Sequence, residues 1–467
     1  MANKTTEQLK EELFYNKKSA YVCCDEETIN AGYEFCKGYM NFLDVAKTER
    51  EATAEVIKLA ESKGFVEFDY NTKYNAGDKV YLNNRNKAVI LCVIGKKPVQ
   101  DGVRISAAHI DSPRLDLKPN PMYENEGFAY FKTHYYGGIR KYQWTAVPLS
   151  LHGVAVLKDN TKIDIRIGDD AGDPQFVITD LLPHLAQEQS KRTLSDGIRG
   201  EELNILIGSR PFNSDKESES IKLNILNILN EKYGMIEEDF LSAEFELVPA
   251  AKATDIGFDR SMIGAYGHDD KVCAYPAMIA TFDVESPNYT TVTVLADKEE
   301  IGSDGNTGLN SAYLKYFVHR IAEMQGGNGE IALSNSECLS ADVNAAFDPT
   351  FSDVFERRNT TVLNGGACIT KYTGARGKSG SSDASAEYVG KIRSILNNAN
   401  VVWQTGELGK VDAGGGGTVA MYIANLGVDV VDLGVPVLSM HAPFEVVAKT
   451  DVYMAFKGFK AFLEYAE

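Results

Sequence analysis

The sequence predicts an α/β fold: a mixed central sheet sandwiched by helices, with a β-rich unit inserted into the chain. Short, continuously apolar runs such as Ala88–Gly95 (AVILCVIG) and Val103–Ala108 (VRISAA) have the length of strands and the composition of strands covered on both faces. Between about residues 118 and 251 the pattern changes to polar and apolar alternation, the mark of an antiparallel sheet with one wet face. After residue 251 the buried-strand pattern returns, so the central sheet is expected to draw on both ends of the chain.

The first helix with a clear start is at Thr48, where Thr48 and Glu51 form a capping-box pattern. Ala52, Val56, Leu59 and Ala60 follow at helical spacing, and Gly64 supplies a stop. The apolar runs at 88–95 and 103–108 come next. From Asn120 the segment NPMYENEGFAYFKTHYYGG is aromatic-rich, and VAVLKDNTKIDIRIG (154–168) reads as two alternating strands joined through Lys158, Asp159 and Asn160. A polar stretch at Ser214–Ser220 precedes an amphipathic helix at 221–229, and Phe245–Val248 reads as a returning strand. The later pattern gives a buried strand at 290–296, a helix capped by Ser311 with Leu314, Phe317, Val318 and Ile321 on one face, and a strand at 428–433. The expected organisation is a main unit in two parts, 1–117 and 252–467, interrupted by an inserted unit at 118–251.

Composition removes several classes of function. The chain has 467 residues, 44% hydrophobic and 24% charged, which is ordinary for a globular protein and argues against disordered and fibrous classes. A net charge of −18 disfavours phosphate backbones and anionic lipid surfaces, so neither nucleic acid nor membrane is expected as a partner. Seven scattered cysteines with no CxxC pair suggest neither a disulfide framework nor a Cys-rich zinc finger, and they fit a reducing cytoplasm. No apolar leader and no membrane-length apolar stretch are read.

Polar clusters stand where buried strands are expected to end, which is where open α/β sheets bind ligands. They are SAAHIDSPRLD (106–116), ADKEEIGS (296–303) and VLSMHAPFE (437–445), joined by GHDDK (267–271) and LSADVNAAFDP (339–349). Two histidines with three or four carboxylates are the donors of a two-metal hydrolytic site and suit Zn²⁺, Co²⁺ or Mn²⁺. In His109-Ile110-Asp111 the aspartate, two residues on along an extended strand, is placed to orient a metal-binding imidazole. In Glu299-Glu300 successive side chains of an extended backbone diverge, so that one binds metal while the other serves as general base. Each element also has a plainer reading. HxD is often a satisfied polar pair, acidic doublets are common on solvated faces, and the His441 segment reads equally as a strand-ending turn. The Gly414–Gly417 run lacks the lysine and spacing of a phosphate loop and reads as a tight turn, while His134, His152, His268 and His319 read as ordinary surface or core histidines.

The ordered series HIDSPRLD, HDDK, DKEEIGS, SADVNAAFDP and SMHAPFE resembles the aspartyl aminopeptidase family of dinuclear zinc aminopeptidases, over nearly the whole chain. The resemblance implies a zinc exopeptidase fold with an inserted dimerisation domain, and hydrolysis of the N-terminal residue of peptides that carry a free N-terminus. It implies His109 and Asp342 as ligands of one metal, Glu300 and His441 of the second, Asp269 as the bridge and Glu299 as the general base. His184 is similar to a histidine that reaches into a neighbouring subunit's site, and Lys371 to a substrate-contacting lysine. A homo-oligomer built from dimers, a tetrahedral dodecamer, is implied as well. Departures from the family pattern at Asp270, Ala345, Asp348 and near Gly380 leave the preferred N-terminal residue open between acidic and neutral or hydrophobic. The rival of another class is a non-catalytic peptide-binding or assembly protein on the same fold.

Overall fold

The computed structural model describes residues 4–214 and 218–466; of the polar stretch at 214–220, residues 215–217 lie outside the described residues. The architecture is mixed α/β. Its main sheet has nine strands in the order Val66–Glu67, Lys79–Asn84, Ala88–Val93, Thr290–Ala296, Val103–His109, Glu337–Ser340, Asp429–Gly434, Ala367–Thr370 and Trp403–Thr405. Strand Thr290–Ala296 is inserted between two strands from the first quarter of the chain, antiparallel to Ala88–Val93 and parallel to Val103–His109. Parallel pairing then continues through Glu337–Ser340 to Asp429–Gly434.

Two cores explain the continuous apolar runs. Val89, Leu91 and Val93 enter one core while Ile90, Cys92 and Ile94 enter the other, so each face of a single strand is buried. One face is covered by helices Glu26–Val45, Glu49–Ser62, His268–Asp283, Ala386–Asn398 and Lys449–Glu464, the other by Tyr313–Met324, Gly329–Ser334 and Ala420–Ala424. Helix Glu49–Ser62 is closed by the Thr48/Glu51 capping box. Helix Tyr313–Met324 departs from expectation, because the Ser311 hydroxyl donates to the Gly308 carbonyl and leaves the helix without a side-chain cap.

The second sheet has six antiparallel strands in the order Lys162–Ile167, Leu149–Val156, Ala243–Pro249, Arg114–Asn125, Phe128–Tyr136 and Asn204–Gly208. One of its faces packs a third core around Trp144, Leu151, Phe240 and Leu247, partly under helix Ser220–Tyr233. The sheet begins at Arg114, four residues before the expected start of the inserted unit at 118, because Leu115 already pairs with Leu247 inside it. A small five-stranded sheet, Thr254–Ile256, Met262–Ala265, Glu445–Ala448, Pro436–Leu438 and Asn344–Ala345, sits beside the main one. No helix among the described residues is long and apolar enough to cross a membrane.

Candidate metal centre

Five chain segments reverse or break at the carboxyl edge of the main sheet and the adjoining small sheet. His109 is the last residue of strand Val103–His109, and Asp342 lies two residues beyond Glu337–Ser340. Glu299 and Glu300 follow Thr290–Ala296, Asp269 follows Met262–Ala265, and His441 follows Pro436–Leu438. The turns are tight: Gly267, Lys298 and His441 have φ of 78°, 68° and 66°. Glu299 and Glu300 stand in one turn of 3₁₀ helix rather than on the extended backbone expected. The left-handed Lys298 turns the chain so that both glutamates enter the site from a helical turn.

Asp269 is the centre of the cluster. Its Oδ1 is 3.1 Å from His109 Nε2 and its Oδ2 is 3.1 Å from His441 Nε2. Glu299 Oε2 lies 3.8 Å from His109 Nε2, and Glu300 Oε2 lies 3.6 Å from His441 Nε2. Both rings are fixed in the same tautomer. His109 Nδ1–H donates to the Asp111 carbonyl at 3.0 Å and His441 Nδ1–H donates to the Gly138 carbonyl at 3.0 Å, so both Nε2 atoms face the carboxylates.

Asp111 anchors the arrangement from behind. Its Oδ1 accepts the Glu299 N–H at 3.1 Å, and its Oδ2 accepts the Glu300 N–H at 3.2 Å and the Tyr136 hydroxyl at 2.9 Å. Burial opposes its charge, but His109, Tyr136 and Arg114 hold its carboxyl below the usual range.

Among the described residues, three groups of donors converge closely enough to share an ion: His109, Asp270 and Asp342; His109, Glu299 and Glu300; and Asp269, Glu300 and His441. Two tests of fit favour a cation. Zinc ligands about 2.0–2.2 Å from a tetrahedral ion stand roughly 3.3–3.5 Å from each other, close to the separations found here. In addition, His109 Nε2, Asp269 Oδ1, Asp270 Oδ1 and Glu300 Oε1 are buried with no hydrogen-bond partner, a costly arrangement unless something binds them.

The electrostatics agree. Burial, opposed by His109 and reinforced by Asp269 and Asp111, pushes Glu299 up to about 7. Burial and Asp269 push Glu300 well above the carboxylate range, and burial with Glu299 and Asp270 does the same to Asp342. Burial opposes the charged form of His441, yet Asp269 and Glu300 lift it to about 10. Acids that cannot all ionise together, facing imidazoles that cling to protons, form a site whose charges divalent cations would balance.

A cleft of about 330 Å³ opens onto Asp269, Glu299, Glu300, Asp342 and His441 and is walled by Gly138, Asn344, Thr370, Gly415–Gly417 and Asp432. The glycine run read from sequence as a plain turn is thus part of the cleft wall. A roomier cavity of about 460 Å³ lies under helix Ser220–Tyr233 in the second unit; it is lined by apolar side chains such as Phe131, Ile165 and Phe240 and, among the described residues, carries no titratable group.

Of the residues singled out in the sequence, the structure brings His109, Asp111, Asp269, Glu299, Glu300, Asp342 and His441 together. It leaves two outside. His184 stands exposed in a loop of the second unit and does not line the cleft. Lys371 pairs with Asp383 at 3.2 Å, and its side chain does not line the cleft either, although Thr370 beside it does. The sequence reading passed over Tyr136, Gly137 and Gly138, which reach the cluster from the second sheet. The only signal was the HYYGG terminus of an aromatic-rich strand.

The profile of the family described as Aminopeptidase I zinc metalloprotease (M18) matches residues 42–463. A probable M18 family aminopeptidase 1 of Clostridium acetobutylicum is 48% identical over 460 residues, 97% of this chain and 99% of the relative. The crystal structure of an M18 family aminopeptidase from Thermotoga maritima superposes with a TM-score of 0.93 at 42% identity, covering 97% of this chain and all of that one. The S. cerevisiae mApe1 dodecamer shares the fold at 20% identity, with a TM-score of 0.75 over 94% of this chain and 98% of that one.

Proposed function

The chain belongs to the aminopeptidase I (M18) family of zinc metalloproteases and is a zinc-dependent aminopeptidase, a hydrolase acting on peptide bonds; from that premise we propose a two-cation mechanism with Glu299 as its base. The observation that carries it is the Asp269 carboxylate, with one oxygen 3.1 Å from the Nε2 of each of two histidines. His109, Asp269 and Asp342 would hold one ion, and Asp269, Glu300 and His441 the other. When bound, zinc supplies a Lewis acid for the scissile carbonyl and lowers the pKa of water. Glu299, coordinated to neither ion, takes a proton from the attacking water and delivers it to the leaving amine. Its Oε2, 3.8 Å from His109 Nε2 at the wall of the cleft, stands where such a transfer can occur. The substrates are peptides with a free N-terminus, which no internal peptide nitrogen can imitate.

The inserted unit, placed from sequence at 118–251, serves in this reading as the subunit contact. Its sheet and adjoining turn leave Phe128, Tyr135 and Tyr142 exposed, apolar surface of the kind closed homo-oligomers bury. A dimer-based particle, a tetrahedral dodecamer in its full form, would bring His184 of one subunit to the cleft of another, where it would steady the oxyanion. Lys371, one residue from the cleft wall, would contact substrate on turning away from Asp383. All seven cysteines are free, which fits a reducing cytoplasm.

Metal analysis coupled to a panel of aminoacyl substrates tests the reading. Two zinc ions per chain and release of free amino acid from unblocked peptides are expected. A metal-free preparation with full activity would overturn it.

A further inference from the structure

We propose that Tyr136, Gly137 and Gly138, where the second sheet meets the main one, act as a positioning strap for the catalytic cluster. They work through Asp111, Glu300 and His441, and of the three only Gly138 also lines the cleft. This rests on the two-cation reading of the site and assigns to the inserted unit a task inside its own chain.

The topology delivers the strap. Only four residues separate His109, at the end of a main-sheet strand, from Arg114, at the start of a second-sheet strand, and Arg114 pairs with Tyr136. The end of strand Phe128–Tyr136 is therefore carried back to the edge where His109 stands. Arg114 lies over the Tyr136 ring at 3.9 Å, which limits how the ring can turn.

Three consecutive residues then meet three parts of the cluster. The Tyr136 hydroxyl donates to Asp111 Oδ2, the acceptor that also takes the Glu300 N–H, while Oδ1 takes the Glu299 N–H. Without that donor, Oδ2 would be held by the Glu300 N–H alone, and both glutamates hang from this carboxylate. At Gly137, with φ of 77°, a Cβ would come 3.1 Å from Glu300 Oε2. At Gly138 a Cβ would come 3.2 Å from His441 Nδ1, the atom that donates to the Gly138 carbonyl. Glycine at both places lets the backbone approach closely enough to set one ring and back one carboxylate. Groups that orient metal ligands in this way commonly change metal affinity or activity 10- to 100-fold when removed.

The test compares Tyr136→Phe and Gly138→Ala with Tyr316→Phe, a control at an exposed tyrosine of helix Tyr313–Met324. Zinc stoichiometry and affinity are read by competition with a chromogenic chelator, alongside kcat, KM and the melting temperature of zinc-free protein. Tyr136→Phe is expected to weaken zinc binding and lower kcat by roughly 10- to 100-fold, with KM and the zinc-free melting temperature near wild type. Gly138→Ala is expected to lose one of the two ions first, and Tyr316→Phe to match wild type throughout. Wild-type zinc affinity and kcat in Tyr136→Phe would overturn the inference, and so would a deficit that appears wholly as a lower zinc-free melting temperature. Wild-type protein that binds fewer than two ions would overturn the two-cation reading and this inference with it. Two ions in wild type with unchanged variants would overturn the strap alone.

Discussion

The two halves of the site use the same chemistry on different scaffolding. His109 is 1% exposed, ends a strand in the interior of the main sheet, and is backed by a carbonyl two residues along its own chain, with Asp270 and Asp342 beside it. The His441 side chain is 33% exposed, follows a three-residue strand of the small sheet, and is backed by a carbonyl from the second sheet. One half is carried largely by a single continuous core and the other is assembled from three sheets. Equal donors therefore need not hold equally: the half that loses less conformational entropy on binding should keep its cation longer.

The largest effect sharpens what the halves share. Prolonged chelation should abolish peptidase activity, and Zn²⁺, Co²⁺ or Mn²⁺ should restore it. Glu299→Gln should lower kcat by roughly 10²–10⁴-fold with both ions retained; metal loss equal to that of Glu300→Gln would show that Glu299 is itself a ligand and not the base. The next test separates the halves. Graded chelation should remove one ion before the other, with His441→Ala retaining one ion and His109→Ala losing both. Simultaneous loss in wild type would break the comparison.

A smaller effect concerns protons. His441 is held at about 10 in the zinc-free protein, so near pH 7 it carries a proton that a cation must displace. Affinity at that half should therefore rise up to about tenfold per pH unit from pH 6 to 9 and level off above 10. Calorimetry in buffers of different ionisation enthalpy would count the released protons, and a pH-independent affinity would contradict the assignment. The smallest effect is expected at Asp270, which adds a carboxylate near His109 and Asp342. Asp270→Asn should weaken the His109 half by less than about tenfold and leave the His441 half unchanged, as measured by the same competition titration.

Much of this was legible in the sequence because burial leaves a pattern. Ala88–Val93 reads as apolar at every position since its alternate residues enter two cores, and His109, Glu299, Glu300, Asp342 and His441 stand out as polar groups abutting such runs. What could not be read is what depends on partners distant in sequence. Tyr136 and Gly138 look like the end of an ordinary aromatic strand until strand pairing brings them to Asp111 and His441. The 3₁₀ turn at Glu299 is set by the left-handed Lys298 before it, and the missing cap of Tyr313–Met324 by a hydroxyl that turns back to Gly308. Acidic doublets and Ser-initiated helices carry no local sign of either.

The order of the strands also bears on how the protein is made. Thr290–Ala296 must enter between two strands synthesised long before it, and the last histidine of the cluster is residue 441. Such distant pairings form slowly and late. While the chain emerges from the ribosome, its early strands wait without their central neighbour, and the hydrolytic groups remain dispersed. The nascent chain is therefore inert towards the free N-termini around it, and activity arises only after the sheet closes from both ends.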